Sequence, residues 1–383
     1  MSELLFLLLP IAFYSGWRAA GKSVRRQAPA EKRPLSDNFV KGVNYLLSEE
    51  PDKALDVFLN RPEIDEYTAE TYLLLGNLFR NRGEVDRALS VHQNLIGRAS
   101  LSRAQKSTTM LALGKDFLAA GMMDRAERVF TELLQSHPED VEARRSLRNI
   151  YEQTLEWEKA IEVTQAVHRL NNENVGHLIA NYYCELADIA IDTGHLQTVH
   201  DYLVLAEQYH PQSTRTTIIR AHVSMLRHQP EKAGLLYLEA AQHSPGLLGM
   251  IFPDMVEAYQ QSGRIDALQD QLFEIYQQSA DVKVLEFTLR LAIDYGLSEL
   301  VKRDLPDLLA HKQLNVRTIS KALTLFNHQD IATPQDSLQL VDQAISNHLL
   351  TQPGFQCQHC GYKMHDYLWR CPACSQWDEI THI

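Results

Sequence analysis

A pattern that returns every 34 to 39 residues constrains this chain more than any other feature. Its anchors fall at positions 42, 76, 114, 148, 187, 221 and 256, stepping by 34, 38, 34, 39, 34 and 35 residues. In the clearest copies a small residue is followed by an aromatic three later, an alanine twelve later and a bulky residue sixteen later. Gly42, Tyr45, Ala54 and Phe58 form one copy, and Gly76, Phe79, Ala88 and His92 a second. Gly114, Phe117, Ala126 and Phe130 form a third, closed by Pro138. Weaker copies hold Tyr151 and Ala160, then Ala187, Gly194, Leu203, Ala206 and Pro211, then Ala221, Ala233, Tyr237, Ala240 and Pro245; Tyr259, Gly263 and Leu272 mark the most degenerate. Periods of this size belong to stacked units, none of which buries its apolar face alone.

The pattern resembles the tetratricopeptide repeat, whose unit is two antiparallel helices. The small residue on the first helix and the alanine on the second let the pair approach closely, and the bulky residues fill the seam between pairs. Proline ends the second helix because it cannot extend the hydrogen-bonded ladder. In the stretches Asn81–Leu89 and Ala119–Glu127, glycine marks the turn, where a positive φ costs it nothing. The expected fold is all-α: a superhelical solenoid of repeats over residues 37–280, with degenerate repeats or capping helices over 281–350. Such a solenoid has a concave face that holds an extended peptide or a partner's helix.

The last 33 residues carry a different signal. Four of the five cysteines lie there as Cys357-Gln-His-Cys360 and Cys371-Pro-Ala-Cys374, ten residues apart. Each CxxC forms a knuckle, and two knuckles close a tetrahedral site of four thiolates around one metal ion. Gly361 supports the first turn and Pro372 stiffens the second. Residues 351–383 thus read as a rubredoxin-like or zinc-ribbon module, with Cys357, Cys360, Cys371 and Cys374 as ligands and iron and zinc both open as the metal. A site saturated by protein leaves no position for a substrate water. The inter-knuckle loop is much shorter than in rubredoxins, which weighs against electron transfer. Tyr362, Tyr367, Trp369 and Trp377 give the module an apolar surface, expected to pack on the last repeats. Cys184 stands apart in Asn181-Tyr-Tyr-Cys-Glu185 and reads as a small buried hydrophobe.

The chain begins with an apolar run from Leu4 to Tyr14, closed by Trp17 and Arg18. Residues 1–20 are expected to be a retained transmembrane anchor, because the cations follow the run: Arg18, Lys22, Arg25, Arg26, Lys32 and Arg33. Residues 21–36 form a basic juxtamembrane linker. Residues 1–33 hold six cations and two acids, so the rest of the chain carries 31 cations against 47 acids. That acidity argues against a nucleic-acid partner, whose phosphates require cations. No Walker A loop, GxGxxG, nucleophile elbow or HExxH is present, and the sequence reads as a non-enzyme, compatible with a homodimer.

An anchor, tetratricopeptide repeats and a four-cysteine knuckle form a rare combination. It resembles the lipopolysaccharide assembly protein B family of Gram-negative bacteria, with Glu3–Pro10, Gly42–Ser48, Leu75–Ala88, Tyr183–Ala187 and the CxxCG…CPxC tail carrying the likeness. The resemblance implies a single-pass inner-membrane protein with its body in the cytoplasm. There it would act as an adaptor that promotes degradation of the UDP-acylglucosamine deacetylase of lipid A synthesis by the membrane protease FtsH. A membrane partner that senses lipopolysaccharide would oppose it. A rubredoxin-like redox protein and a general scaffold for envelope-assembly enzymes are the alternatives.

Overall fold

In the computed structural model, residues 66–98, 101–296 and 353–383 are described, with scattered positions between 41 and 57 and between 318 and 324. The expected anchor and linker lie outside the described residues, as do the first repeat's Ala54 and Phe58 and most of residues 297–352. Among the described residues no helix is long and apolar enough to cross a membrane.

Across residues 66–296 twelve helices run in six pairs and a thirteenth follows: α1 Glu66–Asn81 with α2 Val85–Ile96, α3 Arg103–Ala119 with α4 Met123–Ser136, and α5 Val141–Gln153 with α6 Trp157–Asn171. Then come α7 Gly176–Asp192 with α8 Leu196–Tyr209, α9 Thr214–Leu226 with α10 Pro230–His243, α11 Leu248–Gln261 with α12 Ile265–Ser279, and finally α13 Val282–Tyr295. The 3₁₀ turn Pro245–Leu247 precedes α11. The chain divides within α5, after Ala143, into two compact units.

The sequence pattern maps directly onto this pairing. The position twelve after each anchor is fully buried whether it is Ala88, Ala126, Ala160, Val199, Ala233 or Leu268. So is the bulky position four residues on, from His92 and Phe130 to Tyr237 and Leu272. A Cβ on Gly114 would stand 2.4 Å from the Phe130 ring, so only glycine admits the second helix at this distance. His92 fills the corresponding place beside Gly76. Being polar, it needs a partner there, and it bonds the fully buried Asp116, which also takes a 2.7 Å ion pair from Arg80. A buried carboxylate is tolerable only when paired in this way.

The turn within each pair is the same six times over. A left-handed residue follows the first helix: Gly83, Gly121, Leu155, Gly194, His228 and Gly263, with φ between 56° and 79°. The next N–H returns to a carbonyl five residues back, as Glu84 does to Phe79 and Glu156 to Tyr151, which satisfies an otherwise orphaned helix terminus. In the second unit the first helices lie side by side, α7 by α9, α9 by α11 and α11 by α13, forming one continuous face.

The C-terminal module is a three-stranded antiparallel sheet in the order β2-β1-β3, from β1 Phe355–Cys357, β2 Lys363–Met364 and β3 Ile380–His382. Its core is small: Phe355, Cys357, Met364, Cys371 and Ile380, with Tyr367 and Cys374 against them.

Candidate metal centre and its seat on the repeats

Cys357 ends β1, Cys360 follows in the turn to β2, and Cys371 and Cys374 lie in a second hairpin closed by the Arg370–Trp377 bridge. After each knuckle the backbone turns left-handed, at Gly361 (φ 76°) and at Ser375 (φ 58°). The N–H groups of Gly361 and Ser375 bond the carbonyls of Cys357 and Cys371 at 2.9 and 2.8 Å. The four sulfurs all lie within 4.8 Å of one another, with Cys357–Cys374 and Cys360–Cys371 at 3.7 Å. A tetrahedral ion with bonds of about 2.3 Å sets its sulfurs about 3.8 Å apart, whereas a disulfide needs about 2.05 Å. The geometry therefore fits one metal ion held by all four predicted ligands.

The electrostatics agree with that fit. Burial opposes ionisation of Cys371, but the backbone N–H groups of Cys374 and Ala373 hold its thiol down to about 7. On Cys374 the Gln376 N–H favours the thiolate, yet desolvation and the other thiols push it up to about 12. Once one thiolate forms its neighbours resist ionising, so four charges can coexist only around a cation. Cys184 lies apart from this centre, fully buried, its thiol pushed up to about 11 by desolvation. It touches Thr216 and feels Arg215, a cation 31 positions away in sequence that local reading does not find.

The module's placement differs from expectation. It does not pack on the last repeats alone but lies along the row of N-termini of α7, α9, α11 and α13, and reaches the end of α5. Arg370 pairs with Glu152 of α5 at 2.8 Å, and Tyr182 of α7 donates to the same carboxylate. Trp377 stands edge-on to Trp157 and Tyr182, at 6.2 and 6.0 Å between ring centres. Asp378 accepts a 2.7 Å hydrogen bond from Asn181. The Arg215 guanidinium of α9 lies 4.8 Å from the Trp369 ring and binds Glu185 and Asp188 at 2.9 and 2.8 Å. At the far end the His382 ring packs against Phe287 and passes over Gly249, where a Cβ would come within 2.3 Å, and Lys283 donates to the His382 carbonyl.

Tyr367 and Trp369 serve this seat as the sequence suggested, whereas Tyr362 is 46% exposed. Trp369, Arg370, Trp377 and Asp378 all lie within four residues of Cys371 or Cys374. The metal knuckle thus sets the geometry of the side chains that meet the repeats.

These features define a tetratricopeptide-repeat protein with a four-cysteine metal module. The family models agree: the rubredoxin metal binding domain matches residues 355–381 and the tetratricopeptide repeat residues 71–106. A tetratricopeptide repeat protein of Parabacteroides merdae has a solved structure covering 73% of this chain and 99% of that chain, at 11% identity and a TM-score of 0.35. Two relatives extend over the whole chain. Lipopolysaccharide assembly protein B of Escherichia coli (strain K12) is 32% identical over 388 residues, with 100% of this chain and 98% of that protein covered. The protein of that name in Haemophilus influenzae is 30% identical over 397 residues, again with 100% and 98% covered. The chain belongs to the lipopolysaccharide assembly protein B family.

Proposed function

We propose that the chain is a membrane-tethered, non-enzymatic adaptor in lipopolysaccharide assembly. It limits lipopolysaccharide synthesis by presenting the UDP-acylglucosamine deacetylase of lipid A synthesis to FtsH, and a lipopolysaccharide-sensing membrane partner opposes it. The observation that carries this reading is end-to-end similarity to relatives named for lipopolysaccharide assembly. The repeats supply a scaffold suited to binding proteins. On the first-helix face, His222 of α9 and Asp254 and Glu257 of α11 remain exposed and available to a partner. Residues 1–20 anchor the body to the inner membrane with the repeats in the cytoplasm, raising the local concentration of membrane partners toward the millimolar range. Bound iron or zinc would cross-link the two knuckles and hold Arg370, Trp377 and Asp378 in register with the repeats.

The deciding experiment follows deacetylase half-life after depletion of the protein. The adaptor reading expects a longer half-life and more lipopolysaccharide. An unchanged half-life with defective envelope assembly would favour a scaffold without a role in proteolysis.

A further inference from the structure

The four cysteines of the metal centre are not equivalent. Cys357 and Cys371 belong to the module's small core and are almost fully buried. Cys360 is exposed and Cys374 partly so. The chain beside Cys360 faces solvent too, from Gln358 and His359 to Gly361 and Tyr362. The sulfurs meet across the knuckles, each outer one with an inner one. Cys360 lies 3.7 Å from Cys371, and Cys374 lies 3.7 Å from Cys357. An accessible thiolate with a second thiol in contact is the arrangement that reversible cysteine oxidation requires. The accessible sulfur meets the oxidant, and the shielded one resolves the product before it oxidises further. Cys371 needs to close on Cys360 only from 3.7 Å to the about 2.05 Å of a disulfide.

We propose that Cys360 is an oxidant-reactive modification site with Cys371 as its resolving partner, so that hydrogen peroxide converts the metal-loaded centre into a metal-free disulfide form. In the first step the Cys360 thiolate attacks one peroxide oxygen. The O–O bond breaks, hydroxide leaves and Cys360 becomes a sulfenic acid. In the second step the Cys371 thiolate attacks the Cys360 sulfur, the S–S bond forms and a second hydroxide leaves. Two thiolates and one peroxide thus give one disulfide and two hydroxide ions, both electrons coming from sulfur. The closed coordination that excludes a substrate water is no obstacle, because sulfur itself is the nucleophile. A disulfide sulfur carries no charge to offer a metal, so only two of the four ligands remain and the ion leaves. Exchange with a dithiol returns both thiolates, which makes the change reversible. Arg370, which pairs with Glu152, directly precedes Cys371, so the oxidised knuckle acts on the module's seat.

The test exposes the full-length, zinc-loaded protein in detergent to hydrogen peroxide. Zinc has no redox chemistry of its own, so every electron consumed comes from the protein. Released zinc is read with a chromogenic chelator, disulfides by peptide mass mapping, and sulfenic acid by trapping with dimedone. One zinc should be lost for each Cys360–Cys371 disulfide formed, the two appearing at the same rate. Dimedone present from the start should mark Cys360 ahead of the other knuckle cysteines and leave the buried Cys184 unmarked. A dithiol with fresh zinc should restore the full metal content. Zinc retained under peroxide, a first disulfide between any other pair, or sulfinic acid in place of the disulfide would overturn the proposal.

Discussion

At six turns the same backbone position is left-handed, and at two of them the residue is not glycine. Leu155 is 64% exposed, so it gains no packing in return for its conformation. An L-residue in this region costs about 1–2 kcal/mol, and glycine's extra freedom in the unfolded chain returns about 0.5–1 of that. Leu155→Gly and His228→Gly should each stabilise the protein by about 0.5–1 kcal/mol, read as a higher urea midpoint at unchanged slope. These two turns also explain why the fourth and sixth repeats are hard to see in sequence: the glycine is gone although the turn is not. Cys184 illustrates a residue whose role was legible. With the thiol fully buried and pushed up to about 11, it should stay unlabelled by iodoacetamide at pH 7 until the protein unfolds. Native labelling within minutes would contradict that.

Among the elements, the knuckles and the helix pairs were written locally, in spacings of three to sixteen residues, and both are found as read. The seat of the module was not. Its partners lie 218 residues apart for Arg370 and Glu152 and 197 for Asp378 and Asn181, and no local pattern marks such pairs. Only the crowding of Trp369, Trp377 and Tyr367 hinted that the module has an apolar face to cover. Trp377→Ala should remove the contact with Trp157 and Tyr182 and cost about 3 kcal/mol. Trp377→Phe should cost far less, because the indole N–H has no partner among the described residues. Tryptophan fluorescence during denaturation distinguishes the two. Asp378 contributes a pH dependence of known sign. Desolvation raises its pKa above the ordinary carboxylate value, although the residue keeps surface facing solvent. The folded state therefore holds the proton more tightly than the unfolded one, and its contribution to stability falls as pH rises through this window. Asp378→Asn should abolish that component, making the seat at neutral pH at least as stable as in the parent.

For the whole molecule, the module is too small to bury a sufficient core, so ligation and folding of residues 353–383 form one event. Because the module spans the N-termini of α7 to α13 and reaches α5, metal loss should be felt through much of the second unit. An effect confined to the last helices is what a module resting only there would give. On the proposed adaptor reading, in which residues 1–20 tether the body, removing them should leave metal binding and the helices intact and reduce regulation; full activity of that truncation in cells would contradict the proposed tether. The most direct measurement of the central claim, that the metal centre and the repeats form one composite unit, is hydrogen–deuterium exchange of the full-length protein with and without its metal. Stripping the metal, or Cys371→Ser, should speed exchange in residues 353–383, in the first turns of α7, α9 and α11 and in the last turn of α5, and leave α1 to α4 unchanged. Faster exchange in the module alone, with those helix ends unaffected, would contradict the account.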